Sequence, residues 1–379
     1  MSTLSQASRR AAASIGVIGA GIFGVSIALE LSGSGFAVSL YEKSDDILTG
    51  ATARNLFRVH RGYHYPRDLD TAHAARDGYV SFAQTFGAAF ATAVPHHYAI
   101  ASTSRTTAEQ FEAHCEMLGI SARPVAMPDL VPGSASACYE VDEAYYDAGL
   151  LRRIAWERLE AARVSVVLRY PGPARQIARA HDFVVVAVYG ALNEVLRDLQ
   201  CPPIQLQYEL CEVPVVHTPG MNQLSLVVLD GPFVSVAPYG DDHHILYDVV
   251  YSVHRRYVGY SSPFPAEDVR TPVSHPARTK FRSILASTQR FLAPLANARH
   301  VGSLVSQRVI VPGVEETDAR PTVVTWASPT VISVLSGKVC TSVETGRLVA
   351  ARISARTGQA VDGAVLPRQA AAVDGMNLV

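Results

Sequence analysis

Apolar positions at the start of the chain fall into short blocks whose spacing changes from strand to helix and back. Ile15-Gly16-Val17-Ile18 reads as a short buried strand, a glycine-rich turn follows, and an apolar helical stretch runs to about Leu31. Gly33-Ser34-Gly35 ends that helix, because glycine readily takes the left-handed conformation at a helix end. Ala37 to Tyr41 is a second buried strand, closing at Glu42, so about 30 residues make one complete βαβ unit. Residues 44–67 show no clear periodicity and read as a long functional loop with room for one helical turn, and 68–91 read as helix. His97 to Ser102 is a strand, and Thr106 with Glu109 predicts a capping box for a helix through Met117. Asp147 to Ala162 is helical, and Val164 to Leu168 and Phe183 to Val188 are buried strands.

After Gln200 the pattern becomes strand after strand: Gln205–Val216, Leu224–Leu229, Phe233–Pro238, His244–Tyr251 and Tyr257–Ser261. Consecutive short strands separated by turn residues predict an antiparallel sheet. Residues 277–291 are helical; Gln307–Val311, Thr322–Trp326 and Val331–Val334 are strands; Thr341 to Ser354 is a closing helix.

Composition narrows the class. The 379 residues are 48% hydrophobic, which suits a globular protein of two or three domains. The net charge of −1 and the scattered Arg give no basic surface for nucleic acid or an anionic membrane. Five cysteines, Cys115, Cys138, Cys201, Cys211 and Cys340, form no CxxC pair and fit a reducing compartment. Residues 1–14 lack the apolar core of a signal peptide, and no stretch reaches the ~20 apolar residues of a membrane span. A cytoplasmic protein with frayed ends is expected. The adjacent pairs His96-His97 and His243-His244 lie in strands, where neighbours point to opposite faces, so no metal site is expected.

The turn Gly19-Ala20-Gly21-Ile22-Phe23-Gly24 carries the first chemistry. It has a strand before it, a helix after it and an acid, Glu42, at the end of the next strand. Gly19 permits the tight turn, Gly21 lets the backbone approach a pyrophosphate, and Gly24 lets helix and strand pack closely. The helix N-terminus, with the amides of Ile22 and Phe23, offers donors and a positive dipole end to phosphates. Glu42 lies eighteen residues after Gly24 and suits a ribose diol, disfavouring a 2′-phosphate. The same turn serves NAD and FAD.

Four separated pieces, spanning about 15–354, decide between them. Beside the βαβ unit there is Gly50-Ala51-Thr52-Ala53-Arg54-Asn55 with His60-Arg61-Gly62-Tyr63-His64-Tyr65-Pro66. Then come Val141-Asp142-Glu143 through Tyr189-Gly190, and finally Arg308, Asp318-Ala319-Arg320-Pro321 and Val331 to Ser336-Gly337-Lys338. Together they resemble the D-amino acid oxidase superfamily of FAD-dependent oxidoreductases, near the glycine/sarcosine oxidase and L-2-hydroxyglutarate dehydrogenase branches. The resemblance implies FAD as cofactor. It implies that Lys43, Thr52, Arg54, Asn55, Arg58 and Gly190 run along it, with Gly337 and Lys338 covering the flavin. Two departures stand out. Residues 168–182 are too few for the family's β-meander, and Leu56-Phe57-Arg58 replaces small residues.

In such an enzyme the flavin supplies the redox chemistry and the protein orients a C–H bond. His60 is the first candidate for a base; a histidine bonded to backbone, or a covalent flavin attachment point, are the other readings. Tyr63, His64 and Tyr65 are candidates to line a pocket. Arg308 and Arg320 are candidates for a substrate carboxylate or for structural ion pairs. Strand alternation puts Tyr247, Val249, Tyr251 and Val253 on one face, with Tyr251 a candidate pocket residue.

The expected architecture is α/β: a Rossmann-like FAD-binding domain (1–80, 140–200, 300–360) interleaved with an antiparallel β-sheet substrate domain (81–139, 201–299), and a flexible tail at 361–379. The expected activity is FAD-dependent oxidation of a C–N or C–OH bond in a small polar metabolite, with hydride passing to flavin N5 and oxygen or another acceptor taking the electrons. An NAD-dependent dehydrogenase and a flavin-binding protein without turnover are the alternatives.

Overall fold

The computed structural model describes residues 12–358 apart from 92–93, 128, 222, 232, 266–267, 270–277 and 315–318. Asp318, residue 277 and the tail 361–379 therefore lie outside the described residues. Strands and helices are numbered in chain order.

The first sheet grows from the buried apolar blocks. β1 (Ser14–Ile18) lies parallel between β2 (Ala37–Tyr41) and β10 (Phe183–Val186). β9 (Ser165–Val167) adds beyond β2, and β18 (Val331–Leu335) beyond β10. Antiparallel β17 (Val323–Ser328) completes six strands in the order β17-β18-β10-β1-β2-β9. Parallel neighbours need a crossover, and α1 (Ile22–Gly33) supplies the one between β1 and β2. α1 is buried on almost every side, at Ile22, Phe23, Val25, Ile27, Ala28 and Leu31. It is covered by the closing helix, where Ser26 Oγ donates to Ser342 Oγ at 3.1 Å.

Further helices among the described residues are α2 (Leu69–Phe86), α3 (Ala108–Leu118), α4 (Ala148–Ala161), α5 (Ala174–Ala180), α6 (Leu192–Asp198), α7 (Phe281–Gln289) and α8 (Ser342–Thr357). α5 stands where the sequence is too short for a meander. The capping box of α3 sits one residue later than expected, on Thr107 and Gln110. The hydroxyl of Thr106 instead donates to Asp230 Oδ2 at 2.9 Å.

The second sheet has nine strands: β5 (His96–Ala101), β6 (Ala122–Pro124), β7 (Ala135–Val141), β11 (Leu206–His217), β12 (Ser225–Leu229), β13 (Val234–Pro238), β14 (His243–Asp248), β15 (Val253–Gly259) and β16 (Arg299–Ile310). It is antiparallel except where β12 pairs parallel with β5. β11 is its spine, pairing β15, β14 and, along most of its length, β16. A small third sheet joins β3 (Arg58–Val59) and β4 (Phe90–Ala91) through β8 (Ala144–Tyr146). It ties the loop at 44–67 to the chain after β7. β14 ends at Asp248, earlier than the alternation suggests. Asp248 Oδ1 accepts the amides of Val250 and Tyr251, both at 2.7 Å, and turns the chain.

Candidate active site

The turn after β1 is built as the sequence implies. Gly19 has φ +98° and donates to Tyr41 O at 2.8 Å. A Cβ on Gly24 would lie 1.8 Å from Gly19 O, so strand and helix meet there with no room for a side chain. Glu42 closes the turn: Oε2 accepts Ala20 N–H at 2.8 Å and Oε1 accepts Ser44 N–H at 2.9 Å. Each carboxylate oxygen keeps a further lone pair for a diol. Gly21 is different from Gly24. A Cβ there would meet only Thr52 Oγ1, at 3.9 Å. The opening lies at the N-terminus of a twelve-residue helix, whose first-turn amides have no intrahelical acceptor. That cradle fits a dinucleotide pyrophosphate. Thr52 Oγ1 accepts Ile22 N–H at 3.3 Å, and Lys43 is exposed beside Glu42.

The loop that follows is held by Asn55. Its Nδ2 donates to Ala51 O (2.8 Å), Thr52 O (3.1 Å) and Tyr146 Oη (2.7 Å), and its Oδ1 accepts Phe57 N–H. Asn55 thus shapes the loop, with Phe57 at φ +54°. Arg54 reaches Val269 O at 3.3 Å. Arg58, expected along the cofactor, is enclosed by protein groups. It is buried, donating to Tyr145 Oη, Ser225 Oγ (3.4 Å) and Tyr98 Oη (3.5 Å), with Nε 3.8 Å from Glu143.

His60 lies next to this group. Its Nδ1 is 3.6 Å from Glu143 Oε1, and its ring lies 5.1 Å from that of His64 and 5.7 Å from that of Tyr65. Burial, and then the charges of Lys338 and Arg58, hold its pKa well below the usual histidine range. The imidazole is therefore neutral at pH 7. The Lys338 ammonium stands 5.2 Å over the Tyr65 ring. Tyr63 is not a pocket residue. It is fully buried, donates to Ser121 O at 2.6 Å and packs against Tyr98 and Phe111. His64 packs on Tyr65 and Phe233.

The returning C-terminal segment forms one wall of a cavity. Tyr189, Arg308, Arg320, Ser336, Gly337 and Lys338 contribute to its lining. Gly337 N–H donates to Thr322 Oγ1 at 3.1 Å, and Lys338 O accepts both Thr341 N–H (2.9 Å) and its hydroxyl (2.8 Å). Arg308 is already paired. Nε donates to Glu209 Oε2 at 2.5 Å and Nη1 to Tyr247 Oη at 2.9 Å. Burial would raise the pKa of Glu209, but Arg308, Gln207 and Arg256 outweigh it and lower it. Tyr189 takes φ +52°, and its hydroxyl accepts Val309 N–H at 2.9 Å; Gly190 abuts Gln307. Tyr251 is a correction. The early end of β14 puts it on a turn, 42% exposed.

Sequence reasoning missed Glu143, Glu209, Tyr98, Tyr145 and Ser225, all buried polar groups of this region. The signal for Glu209 was present, since it is an acid in mid-strand, in a run that otherwise reads as buried. Among the described residues, no group of three or more His, Cys, Asp or Glu could hold a metal, and no helix is long and apolar enough to cross a membrane. All five cysteines are free and buried.

A mostly parallel sheet opening on a glycine turn that fits a pyrophosphate, joined to a large, mostly antiparallel sheet and closed by a returning C-terminal segment, is the architecture of a dinucleotide-binding oxidoreductase. Residues 14–324 match the DAO family, FAD dependent oxidoreductase, and the chain belongs to that family. It is an FAD-dependent oxidoreductase, and its cofactor is FAD. FAD-dependent monooxygenase kojA of Aspergillus flavus is 26% identical over 276 residues, covering 64% of this chain and 62% of that protein. The chain thus spans less than two thirds of that curated relative. Among solved structures, glycine oxidase from Geobacillus kaustophilus superposes with TM-score 0.67 at 13% identity, over 94% of this chain and 99% of that one. L-α-glycerophosphate oxidase from Mycoplasma pneumoniae, with FAD bound, gives 0.68 at 14%, over 90% and 94%. These likenesses are of fold.

Proposed function

We propose that the protein oxidises a C–N or C–OH bond of a small polar metabolite, with His60 as proton acceptor and the Arg320–Lys338 wall as anchor for an anionic or strongly polar group. FAD, when bound, accepts the electron pair as hydride at N5. The carrying observation is a half-buried imidazole whose pKa is lowered by burial and by the charge of Lys338, which lies on the segment that closes the cavity. A neutral imidazole can take the hydroxyl or amine proton as the carbon loses hydride. The positive wall attracts the substrate and keeps the imidazole in its neutral, proton-accepting form. Arg308 serves the pocket as a rigid, charge-compensated wall residue, because Glu209 already neutralises it. The name of kojA, a monooxygenase, supports dioxygen as the electron acceptor.

The test is anaerobic mixing of the yellow holoprotein with a panel of amines, amino acids, hydroxy acids and polyols, followed at about 450 nm. Bleaching by one class, slowed roughly 10²–10⁴-fold in His60→Gln, is the expected result. A band that no member of the panel bleaches, or a His60→Gln protein as fast as wild type, refutes the assignment.

A further inference from the structure

We propose that Glu143 is the positioning residue for His60: it fixes the imidazole with its proton on Nδ1 and its lone pair on Nε2. The inference rests on the proton-acceptor role proposed above.

Glu143 follows β7, and its side chain is 0% exposed. Oε1 accepts Arg61 N–H at 3.0 Å and faces His60 Nδ1 at 3.6 Å. Oε2 accepts the Tyr98 hydroxyl at 3.0 Å and lies 3.8 Å from Arg58 Nε. The groups around the carboxylate are donors, and an ionised carboxylate only accepts. A lone pair on Nδ1 would set two acceptors face to face in a buried site. A proton on Nδ1 makes the pair complementary and leaves Nε2 as the basic nitrogen. Nδ1 is buried and has no other hydrogen-bond partner. A separation of 3.6 Å exceeds a formed hydrogen bond; a small side-chain rotation closes it, as such contacts often tighten on substrate binding.

The carboxylate is itself held. Tyr98 and Arg58 grip it, and Arg58 is bonded in turn to Tyr145 and Ser225, which share a 2.7 Å hydrogen bond. The groups that bear on the His60 ring are Lys338 and Arg58, which oppose its protonation, the Glu143 carboxylate 3.6 Å from Nδ1, and the rings of His64 and Tyr65. This is the arrangement in which a third group orients a histidine and stabilises it once protonated.

The test reads the tautomer directly. In holoprotein carrying ¹⁵N-histidine, long-range ¹H–¹⁵N correlation reports which ring nitrogen bears hydrogen, with His60 assigned by its loss in His60→Gln. The expected result at pH 7.5 is a neutral ring protonated on Nδ1. A ring protonated on Nε2, or an imidazolium, overturns the proposal. Glu143→Gln keeps an oxygen for Arg61 N–H, so it should keep the Nδ1–H tautomer while slowing substrate-driven bleaching roughly 10- to 100-fold. Glu143→Leu removes the acceptor and should release the ring towards Nε2–H; an unchanged tautomer there overturns the proposal. Should Glu143→Leu fail to fold, the wild-type and Glu143→Gln spectra decide. A protein whose flavin no substrate bleaches defeats the proposed activity but leaves the tautomer measurement valid, so the two failures are distinguishable.

Discussion

Two glycines three residues apart, Gly21 and Gly24, should fail in opposite ways. Gly21 has φ −69° and ψ 176°, a conformation open to any residue, and a Cβ there meets only Thr52 Oγ1 at 3.9 Å. Gly21→Ala should therefore fold at least as well as wild type, gaining roughly 0.4–1 kcal/mol from the stiffer unfolded chain. Its methyl nevertheless occupies the opening in front of the α1 amides. Pushing a pyrophosphate away costs about one charge-assisted hydrogen bond, roughly 1.5–3 kcal/mol, or about 10- to 150-fold in FAD affinity. Gly24→Ala drives a Cβ to 1.8 Å from a backbone oxygen, so strand and helix must separate. Its cost should be at or beyond the roughly 1–3 kcal/mol usual for overpacking, and should appear without FAD. Denaturant unfolding of the deflavinated proteins and fluorescence titration with FAD separate the two effects. Wild-type FAD affinity in Gly21→Ala would show that the pyrophosphate does not lie on this turn, and would remove the basis for reading the cradle as its site.

Other outcomes follow from the buried polar groups. Burial, with a further contribution from Arg58 at His96 and His243 at His244, lowers both histidines to about 4, so the folded state binds fewer protons than the unfolded one. Their stability contribution is complete above the ordinary value of about 6.5 and is lost as pH falls towards 4, at up to about 2.7 kcal/mol per pH unit for the two together. Urea midpoints at pH 7.5, 6 and 5 should drop accordingly, and a flat series refutes this. Arg58→Met leaves Glu143 buried without its guanidinium and should cost about 3–5 kcal/mol in urea unfolding, whereas a change under 1 kcal/mol would mean the pair is dispensable. Asn55→Ala removes the bonds that shape the loop at residues 51–57. It should speed amide exchange at Phe57 and weaken FAD binding roughly tenfold, measured by hydrogen exchange and titration.

The dinucleotide turn was legible because every part of it is local: strand, turn, helix and acid fall within residues 15–42, and glycine there has one mechanical reading per position. The C-terminal return was legible through its resemblance in Ser336-Gly337-Lys338. The roles of Arg58, Glu143 and Glu209 were not, because their partners come from distant strands: Tyr145 lies 87 residues from Arg58, and Arg308 lies 99 from Glu209. Tyr251 was misplaced because alternation assumes a straight strand, and the Asp248 carboxylate capturing two amides bends the chain first. The capping box slipped by one residue because two threonines stand together, and only the distant Asp230 shows which hydroxyl is already taken.

The strand order carries a consequence for biosynthesis. β1 and β2 leave the ribosome early, yet β18 pairs with β10 inside the same sheet and ends at Leu335. At about 5–20 residues per second, roughly 7–30 seconds pass between Val186, the end of β10, and Leu335. During that time the outer edge of β10 and the α1 face later covered by α8 stay open. The nascent chain thus presents an unpaired parallel edge of Val184, Val185 and Val186 from the completion of β10 until β18 is made, and premature termination before β18 should yield a chaperone client or aggregate rather than a smaller flavoprotein.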